Sequence, residues 1–296
     1  MLAVINAGLY AMVPLALCAI GEVFNEKAGI VNIGLEGIML LASFMAVVCA
    51  EFLGGWITGV IAGVLTGALI GLIHGVISIY GKGDQIISGV GINIFAVGFV
   101  AFGIMIVWGT PGARPIEWEL NIPFIPSPLG HLSPLVIVAI LLAILMHFVL
   151  HHTVLGLRVK AAGENPEAVD VAGINIETVR LFACVVGGAF AGLAGAYLSI
   201  GWLGHVSKMI SAGRGFIALA CVVFSGLEPL LALAAALIFG FCDGLRWWVA
   251  ITPGVKEVVP FYFVLMTPYI VTLAVISIAI GRKRFPKASG IPYRRE

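Results

Sequence analysis

The side chains in this sequence that could handle a polar solute are few, and they lie between or inside long apolar runs. Asn25, Asn32 and Glu36 belong to the stretch GEVFNEKAGIVNIGLEG at 21–37. Asn93 lies about seven residues into an apolar run, about 10 Å deep at the helical rise of 1.5 Å per residue. Polar groups inside lipid are expensive, so each marks a candidate polar path. Phe95, Phe99 and Trp108 follow Asn93. Amides and a carboxylate can hydrogen-bond hydroxyls and ring edges, and aromatic faces can stack on a flat ring. Trp202 offers the same aromatic surface. Two other roles stay open: Asn93 as an interhelical hydrogen-bond partner, and the phenylalanines as lipid or core packing.

Other chemistries find less support. His147 and His151 stand at i, i+4, the spacing of two metal ligands on one helix face, but with His152 they end an apolar run. That placement points to anchoring at a membrane surface, and the chain is read as holding no metal. Arg214 opens a run, where it either snorkels or pairs with Glu257 or another acid. Asp243 and Arg246, at i, i+3, are expected to pair locally. The five cysteines are scattered in apolar segments with no CxxC pair, as expected of small buried side chains without disulfides. No nucleophile has a base set beside it, and no GxxxxGK[ST] occurs; YGKG at 80–83 is a poor match. The chain is therefore expected to bind no cofactor and no ATP of its own.

The elements that position these residues follow from composition. Of 296 residues, 61% are hydrophobic and 10% charged, with a net charge of +1. A soluble domain has about 25% charged residues, so this chain reads as a polytopic membrane protein with no basic field for nucleic acid. We expect an all-α transmembrane helical bundle forming a single domain over 1–296, with about 8–10 spans. The apolar runs are 2–20, 36–51, 55–79, 86–109, 134–150, 179–201, 213–227, 229–250 and 259–281; those before and after GLEP are either two spans or a broken pair. Lysine and arginine place the basic tail 282–296, the loop 151–178 and the Lys82 loop in the cytoplasm, and the proline-rich loop 110–133 outside.

The stretch 21–37 reads as a surface loop, a helix broken inside the membrane, or a catalytic set. Its interleaved apolar residues favour a broken or re-entrant helix, which is tolerated at depth where protein or water covers the backbone. Gly59, Gly63, Gly67, Gly71 and Gly75 recur every four residues and make a smooth ridge for close helix packing. Gly188, Gly192 and Ala196 repeat the device, with Gly187, Ala191 and Gly195 alongside.

In 151–178, GENPEAVDVAGI reads as a short capped helix. Asn165 suits the N-cap, Pro166 the first turn, Glu167 the positive end, and Gly173 the stop. Ala162, Ala168, Val171 and Ala172 offer an apolar face, to be buried on this chain's own helices or on a partner. The stiff loop 110–133 is either a landing surface for a partner or a cap over a pore.

GEVFNEKAGIVNIGLEGIML resembles the early segment of permease subunits of ABC importers for nucleosides and simple sugars, in their nucleoside-type branch. LRVKAAGENPEAVDVAGINIETVR (157–180) and SAGRGFIALACVVFSGLEPLLALAAALIFGF (211–241) continue the resemblance in the family's order. It implies a subunit of the bacterial plasma membrane that forms a translocation path with a second permease subunit, itself or a related chain. An extracytoplasmic binding protein would deliver substrate, and cytoplasmic ATPase subunits holding ATP and Mg would drive transport. Glu164, Asn165, Pro166, Asp170 and Gly173 would belong to the segment that docks on the ATPase. The rival reading is a secondary transporter driven by an ion gradient. It needs ionisable groups deep in spans, in which the sequence looks poor.

Overall fold

The computed structural model describes residues 2–109, 111–127, 130–251 and 285–293, together with Met266, Ile270 and Leu273. Helices fill the apolar runs and the polar segment 151–178: α1 (Leu2–Lys27), α2 (Leu35–Leu53), α3 (Trp56–Gly75), α4 (Gln85–Trp108), α5 (Pro134–His152), α6 (Val154–Glu164), α7 (Pro166–Val171), α8 (Ile176–Ala196), α9 (Arg214–Ser225) and α10 (Pro229–Ile251). Wider π turns extend α3 to Tyr80 and α8 to Leu203. Among the described residues, six helices are long and apolar enough to cross a membrane: α1, α2, α3, α4, α5 and α8. The larger expected number counted α10, whose apolar stretch Pro229–Leu245 is shorter than these spans, and two further segments. One is α9, whose 12 residues reach only about 18 Å at 1.5 Å each. The other is 259–281, which lies outside the described residues except for Met266, Ile270 and Leu273.

Side-chain bonds show which helix ends share a face. Asn6 Nδ2 and Tyr10 Oη donate to the carbonyl of His131 at 3.2 and 2.8 Å, so α1 starts beside the loop 110–133. Trp108 Nε1 donates to Glu51 Oε2 at 2.7 Å, and Arg114 Nε stands 3.8 Å from Glu51 Oε1, which brings the ends of α2 and α4 to that same face. Two short antiparallel ladders stiffen it: β1 (Arg114–Pro115) pairs with β4 (His205–Val206), and β2 (Ile125–Ser127) with β3 (Gly130–Leu132). On the opposite face, Lys27 at the end of α1 reaches Glu228 at 3.5 Å, beside the end of α5.

α8 lies against three neighbours, and its small residues explain how. A Cβ on Gly67 would stand 2.2 Å from the Gly188 carbonyl oxygen, and one on Gly192 2.3 Å from that of Gly63. Gly71 meets Cys184 and Gly188, Gly63 meets Ala196, and Gly75 meets Leu181 and Cys184. Gly59, at the ridge's other end, also meets Ala46 and Ala50 of α2. The second small-residue stripe of α8 serves other partners: Gly187 abuts Gly21 and Asn25 of α1, and Gly195 abuts Met39 and Ala42 of α2. Lipid solvates leucine as well as a neighbouring helix does, so backbone-to-backbone approach is what holds such helices together.

Candidate functional site

The stretch 21–37 is interrupted more narrowly than its composition suggests. GEVFNEK continues α1 to Lys27, and helix resumes at Leu35, leaving a buried non-helical link over 28–34. Such a link frees backbone groups that must find partners inside protein. Glu22 Oε1 accepts from Asn32 N at 2.7 Å, and Glu22 Oε2 from Asn25 Nδ2 at 3.0 Å. Asn32 Oδ1 accepts from Gly34 N at 2.8 Å. From other helices, Gln85 Oε1 accepts from Val31 N at 2.7 Å, and His74 Nε2 lies 3.2 Å from the Val31 carbonyl. Asn93 does both jobs: its Nδ2 donates to the Ile33 carbonyl at 3.0 Å and its Oδ1 accepts from Gly37 N at 2.7 Å.

Glu36 faces a second interruption. After β4 the chain turns back, and α9 starts at Gly213 against the N-terminus of α2. Glu36 Oε1 accepts from Gly213 N and Oε2 from Gly215 N, both at 2.7 Å. One carboxylate thus satisfies two of the free amides at the positive end of this half-length helix. Arg214 is buried beside it. Its NH2 stands 2.8 Å from Asp243 Oδ2 and its guanidinium 4.8 Å from the centroid of the Trp202 ring. Asp243 therefore serves Arg214 from a neighbouring helix; the expected local pair with Arg246 involves a side chain outside the described residues. Glu257 lies outside them as well.

Where the two interruptions meet, a cleft of about 520 Å³ opens between α2, α4 and the segment 208–216. Glu36, Asn93, Val97, Lys208, Met209 and Phe216 line it. The structure thus joins two of the residues singled out in the sequence, Glu36 and Asn93, at one cleft. Asn25 and Asn32 are fully buried behind it. Phe95 and Phe99, 5.4 Å apart, are on an open face of α4, and Phe99 packs edge-on to Phe44. Trp108 sits at the far end of α4, held by Glu51.

The family model described as "Branched-chain amino acid transport system / permease component" matches residues 4–276. The chain belongs to this family. It is 38% identical to the guanosine ABC transporter permease protein NupQ of Bacillus subtilis (strain 168), over 98% of this chain and 96% of that one. It is 34% identical to the nucleoside ABC transporter permease protein NupC of Lactococcus lactis subsp. cremoris (strain MG1363), over 95% and 93%. No solved structure gives a significant match. The protein is a multi-pass permease component of an ABC importer and not itself an enzyme.

In this permease the segment 153–175 is capped as its residues require. Asn165 Oδ1 accepts from Ala168 N at 3.1 Å, Pro166 opens α7, and Gly173 leaves it at φ +77°. The apolar face divides differently from the expected one. Ala162 and Val169 are buried with Ile176 in the permease itself, whereas Ala168 and Ala172 are exposed and Val171 is 90% exposed. Glu164 and Asn165 are exposed and Asp170 is partly covered; Asp170 Oδ2 accepts from Tyr293 Oη at 3.1 Å.

Arg180 is a residue that sequence reasoning missed. It is 2% exposed and donates to three carbonyls: Nε to Ala28 at 3.1 Å, NH2 to Ala162 at 3.2 Å and NH1 to Ile291 at 3.1 Å. Ala288 N also donates to the Gly163 carbonyl at 2.9 Å, and Gly290 N to that of Gly29 at 3.1 Å. One guanidinium thus ties the α1–α2 link, the start of the capped segment and the tail 285–293 together. Glu22, Glu26, His74, Arg180 and Arg214 are all buried, so the membrane helices hold more ionisable groups than the sequence suggested.

Proposed function

We propose that this permease lines the translocation path of an importer for nucleosides, with the cleft at Glu36, Asn93 and Phe216 as part of that path. The observation that supports it most is the meeting of two helix interruptions at this cleft. The arrangement places a helix N-terminus capped by the Glu36 carboxylate and the backbone-bonded Asn93 amide, with an aromatic ring beside them, along the wall of a space large enough for a small solute. Both full-length relatives described above are nucleoside or guanosine permeases. A second permease subunit, itself or a related chain, completes the path. An extracytoplasmic binding protein delivers substrate to the face of loop 110–133. The positive charges of Arg158, Lys160, Lys82 and Lys287 support a reading in which the opposite face and the C-terminus lie in the cytoplasm of a bacterial plasma membrane. There α7 docks on ATPase subunits that hold ATP and Mg.

The assembled transporter in liposomes is expected to take up labelled guanosine only with ATP on the ATPase side, and to continue when ion gradients are collapsed. Uptake that follows a gradient and ignores ATP overturns the proposal. Replacing Phe216, which is 51% exposed, with alanine removes a stacking surface; a base on an aromatic ring is worth about 1–3 kcal/mol. The KM for uptake is expected to rise about ten-fold while the thermal midpoint holds. An unchanged KM places substrate elsewhere. On α7, Val171→Asp is expected to leave the fold intact, since the side chain touches little of its own subunit. It should lower ATP-dependent uptake about ten-fold, because burying valine against a partner is worth about 1.5–3 kcal/mol. Co-purification with the ATPase reads the same contact directly.

A further inference from the structure

We infer that His147, His151 and Glu228 form a site for a divalent transition-metal ion, of the zinc class, at the face opposite loop 110–133. The two histidines end α5 one helical turn apart, with ring centroids 4.3 Å apart, and the short α9–α10 turn brings Glu228 over them. Their ligand atoms all lie within 4.8 Å of one another. His151 Nε2 stands 3.3 Å from Glu228 Oε2 and His147 Nδ1 4.0 Å from the same oxygen. Ligands bound at about 2.0–2.1 Å in a tetrahedron stand about 3.3 Å apart. One pair is already at that spacing, and a side-chain rotation of His147 brings in the 4.0 Å pair and the two imidazole nitrogens, which lie within 4.8 Å.

The hydrogen bonds say what the cluster lacks. His151 Nδ1 lies 3.0 Å from the His147 carbonyl. A carbonyl only accepts, so Nδ1 carries the proton, and in the neutral ring Nε2 turns a lone pair toward the carboxylate. This is also how metal-binding histidines are oriented, by a donor bond from the other ring nitrogen. His147 Nδ1 is enclosed and has no hydrogen-bond partner among the described residues. With His147 in its Nε2–H tautomer, three electron pairs converge on one point, and a cation there satisfies them all. Lys27 Nζ stands 3.5 Å from the other carboxylate oxygen, Glu228 Oε1, so it leaves Oε2 for the metal while drawing off part of its charge. Three protein ligands leave one position for water. The ion would join the end of α5 to the α9–α10 turn.

The test uses the assembled transporter carrying a histidine-free affinity tag. Cobalt(II) added to the wild type is expected to bind one ion per chain, with the intense visible bands of tetrahedral nitrogen and oxygen ligation. Zinc should displace it and raise the thermal midpoint, as any ligand of the folded state does. His151→Gln and Glu228→Gln are each expected to weaken binding by at least about ten-fold and to abolish the midpoint rise. Lys27→Met, which frees the carboxylate's charge, is expected to tighten binding. Wild-type cobalt that keeps the spectrum of the hydrated ion overturns the inference, whatever the variants do. So does affinity equal in wild type and the His151 variant, which would leave an imidazolium–carboxylate contact in place of a metal site.

Discussion

Gly67→Leu is expected to separate α3 from α8 and to abolish accumulation of the folded permease. A Cβ at Gly67 would already stand 2.2 Å from the Gly188 carbonyl oxygen and 2.6 Å from the Gly192 Cα, both backbone atoms. No side chain there can rotate away, so the helices themselves must part. Overpacking a tight interface costs about 3 kcal/mol, and here the displaced backbone also loses the contacts of Gly63 and Gly71 on the same ridge. The thermal midpoint in detergent, with expression yield, reads the effect. Gly98 on α4 is the control: no atom lies within 4 Å of a Cβ placed there, and Gly98→Leu is expected to leave the midpoint unchanged. Equal behaviour of the two variants would remove close helix packing from the account of stability.

Arg180→Ala is expected to release the tail and loosen the α1–α2 link at once. It leaves the carbonyls of Ala28, Ala162 and Ile291 without their donor. A buried acceptor stripped of its partner costs about 1–3 kcal/mol, so a loss of about 3 kcal/mol is a lower expectation for three. Trypsin cleavage after Lys287 should accelerate, and uptake should fall more than ATP hydrolysis does, because the capped segment loses its tie to the membrane link. Arg180→Lys, with one ammonium in place of a fork that spans three segments, is expected to be intermediate. Tail cleavage at the wild-type rate in the alanine variant would show that Arg180 does not hold the three segments together.

The helices were legible in the sequence because lipid demands long apolar runs, and α2, α4 and α5 start and stop within about two residues of the runs that announce them. The four-residue glycine spacing on α3 and α8 was legible for the same reason, since periodicity reports which face meets a neighbour. The polar residues were legible as special but not in what they do. Asn93 and Glu36 meet backbone amides that belong to residues far along the chain, and one sequence contains no signal of which amide faces which side chain. The link was placed too broadly because Gly21 and Asn25 in GEVFNEK suggest weakened helix, whereas α8 packs against Gly21 and supports the helix there. Arg180 escaped notice because an arginine at a helix start is ordinary at a membrane surface. Only its position beneath two other segments buries it.

The bond from Gly290 N to the Gly29 carbonyl carries a consequence for biogenesis. Helices enter the bilayer in the order of synthesis, so α1 and its polar link arrive first. His74, Gln85 and Asn93 can cover part of that link early; Arg180 comes much later, and residues 288–291 later still. During that interval the unpaired amides and carbonyls near Gly29 need shelter from the insertion machinery or from water at the membrane edge. Maturation of this subunit is therefore a staged closure, and the junction of Gly29, Gly163 and residues 288–291 is the part that seals last.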